Sequence, residues 1–239
     1  MAAVAEREQS AVEIVDLATT PLRELNQRLH DLADGRAGAR HWRVVNPSGA
    51  HAVACGLDAE LEVEIDGHVG YYCAGMNKLA TVQVHGNAST GIAENMMSGR
   101  VEVHGNVSQS AGATGRGGLL VVHGNASSRC GISMKGIDIV VGGSVGHMSA
   151  FMAQTGCLVV CGDAGEALGD SIYEARLYVR GSVASLGADC IEKDVRDEHV
   201  AQVRHLLEAA GLDADPADFR RYGSARQLYT FKVDNAAAY

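Results

Sequence analysis

Val101-Glu102-Val103-His104-Gly105-Asn106-Val107-Ser108 returns nineteen residues later as Leu120-Val121-Val122-His123-Gly124-Asn125-Ala126-Ser127. The repeat runs on in both directions. Gly67, Gly86, Gly105, Gly124, Gly143, Gly162 and Gly181 keep the 19-residue interval without a slip. Two residues before each glycine stands a β-branched residue: Ile65, Val84, Val103, Val122, Val141, Val160 and Val179. Four before it the column is aliphatic, from Val63 to Leu177, and two after it valine and alanine alternate from Val69 to Val183. Seven after it only Ala or Gly occurs: Ala74, Ala93, Gly112, Gly131, Ala150, Gly169 and Ala188.

An uninterrupted repeat of about 20 residues marks a solenoid. Apolar residues at alternate positions, with mostly polar ones between them, mark strands rather than helices. Nineteen residues at about 3.3 Å each cannot run straight, so every rung must fold round into about three short sides. Glycine supplies positive φ or tight corners, the all-small column fits a corner close to the axis, and the Val/Ala alternation lets stacked side chains interdigitate. A leucine-rich repeat would need a leucine consensus that is missing here. The expected fold is all-β: a single right-handed parallel β-helix of about seven 19-residue rungs, with N- and C-terminal helical caps.

Three segments follow from this reading. Residues 1–50 form an N-terminal arm with one amphipathic helix, in which Thr20-Pro21 reads as N-cap and first helical position. Leu22, Leu25, Leu29 and Leu32 give that helix its apolar face, and it ends near Asp34-Gly35. Residues 51–193 form the coil. Residues 194–239 form a helical tail: Arg196 to Ala210 with Val200, Val203, Leu206 and Leu207 on one face, stopped by Gly211. Pro216 starts a further short helix towards Tyr222, and Leu228 to Val233 adds a strand or docking arm. Residues 1–12 and 235–239 are expected to fray.

Composition excludes several function classes. Glycine is 29 of 239 residues, about 12 % against a usual ~7 %. Yet 46 % of the chain is hydrophobic, which excludes disorder. The formal net charge is −9 and no basic block occurs, so nucleic acid is not an expected partner. No apolar run approaches the roughly 18 residues of a membrane span. Met1 to Glu8 has neither a basic n-region nor an apolar h-region, so a cytoplasmic location is expected.

The repeat sets up several candidate constellations. His85, His104 and His123 would stack about 4.8 Å apart, which suits a structural His/Asn ladder better than convergence on one metal ion. A self-contained metal-dependent enzyme using these three histidines is the alternative they raise. Asn87, Asn106 and Asn125 open formal glycosylation sequons that carry no meaning without secretion. Cys55, Cys73, Cys130, Cys157, Cys161 and Cys190 contain no Cys-x-x-Cys, and read as reduced, mostly buried thiols. One side of the coil is rich in methionine and carries cations in a single column: Lys78, Arg116 and Lys135, with Met97 and Gln154 between and beyond them. With Asn77 these residues form an expected partner interface, because Met-rich surfaces with a basic stripe adapt to other proteins. Gly115, Gly117 and Gly118 would keep the neighbouring backbone low. The bland reading is that the methionines fill the coil and the cations keep it soluble. No Ser-His-Asp set, Walker loop or dinucleotide fingerprint can be placed.

The glycine-punctuated coil resembles the GXGXG domain family, which includes the C-terminal β-helix of the glutamate synthase large subunit and the corresponding subunit of formylmethanofuran dehydrogenase. The likeness covers residues 50–193. Sharper strings are Asp66 to Lys78 (DGHVGYYCAGMNK), Glu94 to Gly99 (ENMMSG), Gly131 to Gly136 (GISMKG) and Arg221 to Tyr229 (RYGSARQLY). With Thr20 to Asn26 at the front, the whole chain resembles the stand-alone GXGXG subunits of N-methylglutamate synthases. The resemblance implies a hetero-oligomer with a glutamine-amidotransferase-like subunit and a flavin/iron–sulfur subunit like that of glutamate synthase. FMN and iron–sulfur clusters are then expected on that partner and none on this chain. The implied reaction converts L-glutamate and methylamine to N-methyl-L-glutamate and ammonia. No catalytic, cofactor-binding or metal residue is carried over, because Met1 is followed by Ala2 where an amidotransferase needs a processed N-terminal cysteine, and no flavin barrel or cluster cysteines occur. The alternative within the scaffold class is the β-helical part of a formylmethanofuran dehydrogenase or formyltransferase/hydrolase complex.

Overall fold

The computed structural model describes residues 12–33 and 38–225. The chain starts with strand β1 (Val12–Asp16), helix α1 (Leu22–Asp31) and strand β2 (His41–Val45). Seven rung strands follow: β3 (Glu62–Asp66), β4 (Thr81–Val84), β5 (Arg100–Val103), β6 (Leu119–Val122), β7 (Lys135–Val141), β8 (Thr155–Val160) and β9 (Arg176–Val179). Strand β10 (Cys190–Lys193), helix α2 (Asp197–Ala210) and strand β11 (Arg220–Ser224) complete it. All eleven strands lie in one sheet, and β1 through β9 are parallel and in chain order. The 19-residue register is direct: Val82 opposes Val101, Val101 opposes Leu120, and Leu120 opposes Ile139. The parallel β-helix is therefore as expected, with about seven rungs and two flanking helices.

Each rung has the expected three sides, of which one is a strand. The second side is a single bridge at the Val/Ala column, from Val69–Ala88 on to Ala164–Val183. The third consists of alternate left-handed residues, three per rung. Tyr72, Ala74 and Met76 have φ of 60°, 51° and 56°, and the same positions repeat through Ala167, Gly169 and Ser171. Most of these residues are not glycine, so hydrogen bonds between rungs must hold them there. Tyr72 N–H donates to Thr90 O, Ala74 N–H to Val53 O and Met76 N–H to Glu94 O, at 2.7 to 3.0 Å. From Ala74 to Gly169 the all-small column is the middle left-handed position, buried against the core, while its last member, Ala188, is exposed and falls outside that pattern.

The periodic glycines have a different reason from the one expected. In their column only Gly67 has a left-handed φ. The others are needed because a Cβ would strike the rung below: at Gly124 it would lie 2.6 Å from Asn106 Oδ1 and 2.7 Å from Gly105 O. Backbone stacks on backbone here, with Gly124 N–H donating to Gly105 O at 3.1 Å.

The two ends are closed differently. At the first coil, α1 packs Leu25 and Leu29 into the core, and its Asn26 amide substitutes for a missing rung. Asn26 Nδ2 donates to Ala52 O at 2.8 Å while its Oδ1 accepts from Ala54 N–H at 3.0 Å. The helix begins one residue later than Thr20-Pro21 suggests: Pro21 is the N-cap and Thr20 makes no capping bond. The ladder begins before residue 51, because β1 and β2 already belong to it. At the other end β11 pairs antiparallel with β9 and β10, which stops the parallel ladder. The short turn of 3-10 helix at Pro216–Asp218 leads straight into β11, so Tyr222 lies on a strand and not in a helix.

Helix α2 lies along the side of the coil. Its Val203, Leu206, Leu207 and Ala210 form a second core with Val121, Val140, Val159 and Tyr178 from the outward face of β6–β9, and Gly211 closes it in the left-handed region. Helix α1 ends at Asp31 with Leu32 as its C-cap, short of the expected end near Asp34-Gly35, and Val12, expected to fray with residues 1–11, opens strand β1. The strand or arm expected over Leu228 to Val233 and the fraying expected at residues 1–11 and 235–239 fall outside the described residues.

Candidate functional site

The left-handed turns create a face of their own. Rung-to-rung hydrogen bonds place the expected interface residues in one stack: Met97 N–H donates to Asn77 O, Arg116 N–H to Met96 O, Lys135 N–H to Gly115 O and Gln154 N–H to Met134 O, at 2.7 to 2.8 Å. The side chains of Lys78, Met97, Arg116, Lys135 and Gln154 are all exposed in that stack. Lys78 is paired with Asp58 at 2.8 Å. Among the described residues Arg116 and Lys135 have no ion-pair partner. Around the stack Tyr71, Tyr72, Met76, Leu79 and Met152 are also exposed, Met76 at 52 %.

Two parts of the expected interface are corrected. Asn77 is wholly buried, because its column points inward with Met96 and Met134; its Nδ2 donates to Ala80 O at 2.8 Å and to Ser98 O at 3.2 Å. It shapes the turn from inside. The low backbone at Gly115, Gly117 and Gly118 is explained by packing within the chain: a Cβ would lie 2.9 Å from Ile137 at Gly115, and 2.7 Å from Met97 O and Gly99 O at the other two. The methionines divide between both readings, Met96 and Met134 filling the core while Met76, Met97 and Met152 face outward.

The histidines form the second constellation, just past strands β4–β6 and beside the outward face of β3–β5, whose edge α2 meets where Arg100 Nη1 donates to Ala209 O at 2.8 Å. His85 and His104 stack at 4.8 Å and His104 and His123 at 4.9 Å, the latter within 8° of parallel. Two glutamates that the repeat reading did not single out join them. Glu102 accepts from Arg100 at 2.6 Å and lies 2.7 Å from His123 Nε2, while Glu64 lies 2.9 Å from His41 Nε2. Position i+2 on a strand shares a face with i, so Glu102 beside His104 was legible. Burial opposes ionisation of Glu102, but the hydrogen bonds from His123 and Arg100 hold its carboxyl below the usual range. Burial, then the neighbouring His123, pushes His104 down. Glu102, His104 and His123 bring donor atoms within 4.8 Å of one another. The parallel rings aim their lone pairs side by side, which suits stacking better than a tetrahedral ion. The asparagines extend this ladder through backbone, not through one another: Asn87 Oδ1 accepts from Asn106 N–H and Asn106 Oδ1 from Asn125 N–H, both at 2.8 Å.

All six cysteines are free thiols, five of them buried. Burial pushes the Cys130 and Cys157 thiols up to about 12, so neither is a ready nucleophile.

This 19-residue coil, with its stacked glycines and turn stack, defines a GXGXG-type parallel β-helix, and the chain belongs to that glutamate-synthase-like domain family. No family model matches the chain, and the assignment rests on a relative of full length. That relative is Protein GlxC of Rhizobium meliloti (strain 1021), 64 % identical over 227 residues, or 95 % of this chain and 99 % of that protein.

Proposed function

We propose that the chain is a non-catalytic β-helical subunit of a cytoplasmic glutamate-synthase-like complex, specifically an N-methylglutamate synthase. In that reading it docks the flavin/iron–sulfur subunit to the amidotransferase-like subunit, and FMN and the clusters belong to the partner. The observation that carries it is the turn face: two cations without ion-pair partners among the described residues, Arg116 and Lys135, in a frame of exposed Met76, Met97, Met152, Tyr71 and Tyr72. A surface of adaptable apolar side chains with a fixed positive stripe suits an acidic segment or a phosphate on a partner.

The test is affinity capture of the complex after co-expression of the three subunits. Arg116→Glu with Lys135→Glu should fold normally, since surface changes away from partners shift stability by about 0.5 kcal/mol or less. Assembly and N-methylglutamate formation should fall, more steeply at low salt where repulsion is least screened. Normal assembly and turnover would remove the turn face from the interface. Capture of formyl-transferring subunits instead would favour the alternative scaffold role.

A second reading, a metal-dependent enzyme through His85, His104 and His123, draws on the approach of Glu102 to two of them. Equilibrium dialysis against zinc decides it: stoichiometric retention lost in His104→Ala would support that reading, and no retention would end it.

A further inference from the structure

Where the turn face meets the outward face of the sheet, a cleft of about 390 Å³ opens between the starts of β7–β9 and helix α2. Its lining includes Asp138, Thr155, Cys157, Glu174, Arg176 and Gln202. The register stacks Asp138, Cys157 and Arg176 on three successive strands, so the carboxylate and the guanidinium flank a buried thiol. A bulge in β7 between Lys135 and Asp138 shifts the register there and re-aims the strand entrance.

The charges in this cleft are not spent on one another. Among the described residues none of Asp138, Glu174 and Arg176 takes part in an ion pair. Asp138 Oδ1 accepts from Cys157 N–H at 2.9 Å. Arg176 Nη1 donates to Gln202 Oε1 at 2.9 Å, and Tyr178 Oη donates to the same oxygen at 2.9 Å. Since a guanidinium can only donate, the Gln202 oxygen is fixed on that side and its NH2 remains available to a ligand. A lone cation would leave Arg176 unanswered, and a lone anion would face two carboxylates. A small ligand carrying both signs would complement the whole set, exchanging water at the exposed Arg176 and Glu174 for its own charged groups.

We propose that this cleft binds a free α-amino acid, its carboxylate held by the Arg176 guanidinium and the Gln202 NH2 and its ammonium by Asp138 and Glu174. Burial raises the Asp138 carboxyl above the usual range, and an ammonium partner would stabilise its charged form. The site is independent of the docking reading, because it needs only this chain.

The experiment titrates the ¹⁵N-labelled full chain with glycine and L-glutamate, and separately with methylammonium and acetate as the two half-ligands. The amino acids should give saturable shifts at the amides of Thr155, Cys157 and Gln202, with each half-ligand weaker by roughly tenfold or more. Arg176→Gln and Glu174→Gln should each weaken amino-acid binding by roughly tenfold. The Glu174 carboxylate takes part in no ion pair among the described residues, so its variant keeps the fold even if Arg176→Gln loosens α2. Half-ligands binding as tightly as the amino acids, two variants binding like the parent, or no saturable shift with either amino acid would each overturn the proposal. Arg116→Glu alone, which leaves Lys135 beside Thr155 untouched, should leave these titrations unchanged, which separates failure here from failure of the docking reading.

Discussion

Removing the amide of Asn26 should unfasten the N-terminal end of the coil. In an inner rung the middle left-handed residue gives its N–H to the rung before, as Ala93 does to Cys73 O at 3.0 Å. Ala54 has no such rung before it and is fully buried, and Asn26 Oδ1 takes its N–H instead. Asn26→Ala therefore strands one buried donor, at about 1–3 kcal/mol, and frees a half-exposed acceptor, Ala52 O, at less. The total is roughly 2–4 kcal/mol, a large part of the usual 5–15 kcal/mol of a domain. Urea denaturation followed by circular dichroism reads the total, and hydrogen exchange at the Ala54 amide reads the local loss. Asn26→Asp sharpens the test. Its carboxylate still accepts from Ala54 N–H but turns a second oxygen on Ala52 O, whereas the protonated acid regains a donor. Its deficit should shrink as pH falls through the carboxylate range, opposite to ordinary acid denaturation. A cost for Asn26→Ala below about 0.5 kcal/mol with unchanged Ala54 protection would refute the substitution of side chain for rung.

Val103→Asp puts an unpaired charge at a fully buried position of the inward column and should cost several kcal/mol, read as loss of soluble protein on expression. Leu206→Ala should cost about 2–4 kcal/mol in the second core and expose the α2 segment to protease while the coil's own amides stay protected. His104 is depressed below its ordinary 6.5 in the fold, so the unfolded chain takes up its proton first and stability falls as pH drops from about 6.5 towards the folded value. His104→Gln should flatten that part of the pH–stability curve. The contribution of Glu102, held below its ordinary 4.5, should persist above that value and vanish only as pH falls through the lower folded one.

The inward half of the rung was open to reading because packing repeats it at every turn. Val63, Val82 and Val101 occupy equivalent volumes, so one residue type recurs and the period shows. The left-handed side was hidden for the opposite reason. Tyr72, Ala93, Thr114 and Met152 share a conformation set by hydrogen bonds between rungs, so no propensity marks them. Strands β1 and β2 were hidden because His41 opposes Glu62, an offset of 21 that breaks the 19-residue count. Asn77 was misplaced although its column is shared with Met96 and Met134; the parity of the turn decides which way it points. The seat of α2 was present as a change of character three residues before the glycines. Glu64, Gln83 and Glu102 give way to Val121, Val140, Val159 and Tyr178, and the helix covers those four.

That change points to how such a coil divides its surface. Inward and stacking positions are bound by the repeat, so any particular chemistry must sit in outward columns, where sequence is free to vary from rung to rung. Three outward regions differ here. The apolar half of the sheet face is covered by the chain's own α2, and the other half is made polar by Glu64, Glu102 and the histidines, which satisfy one another. The turn face follows neither course: Tyr72 is 49 %, Met76 52 % and Met97 42 % exposed, in a stack where Arg116 and Lys135 answer no carboxylate among the described residues. A chain that clothes one apolar strip with its own helix and leaves another bare has no internal cover for the second among the described residues. Burying those side chains against another subunit would recover about 25 cal/mol for each Å² of apolar surface, which is the drive a docking face requires.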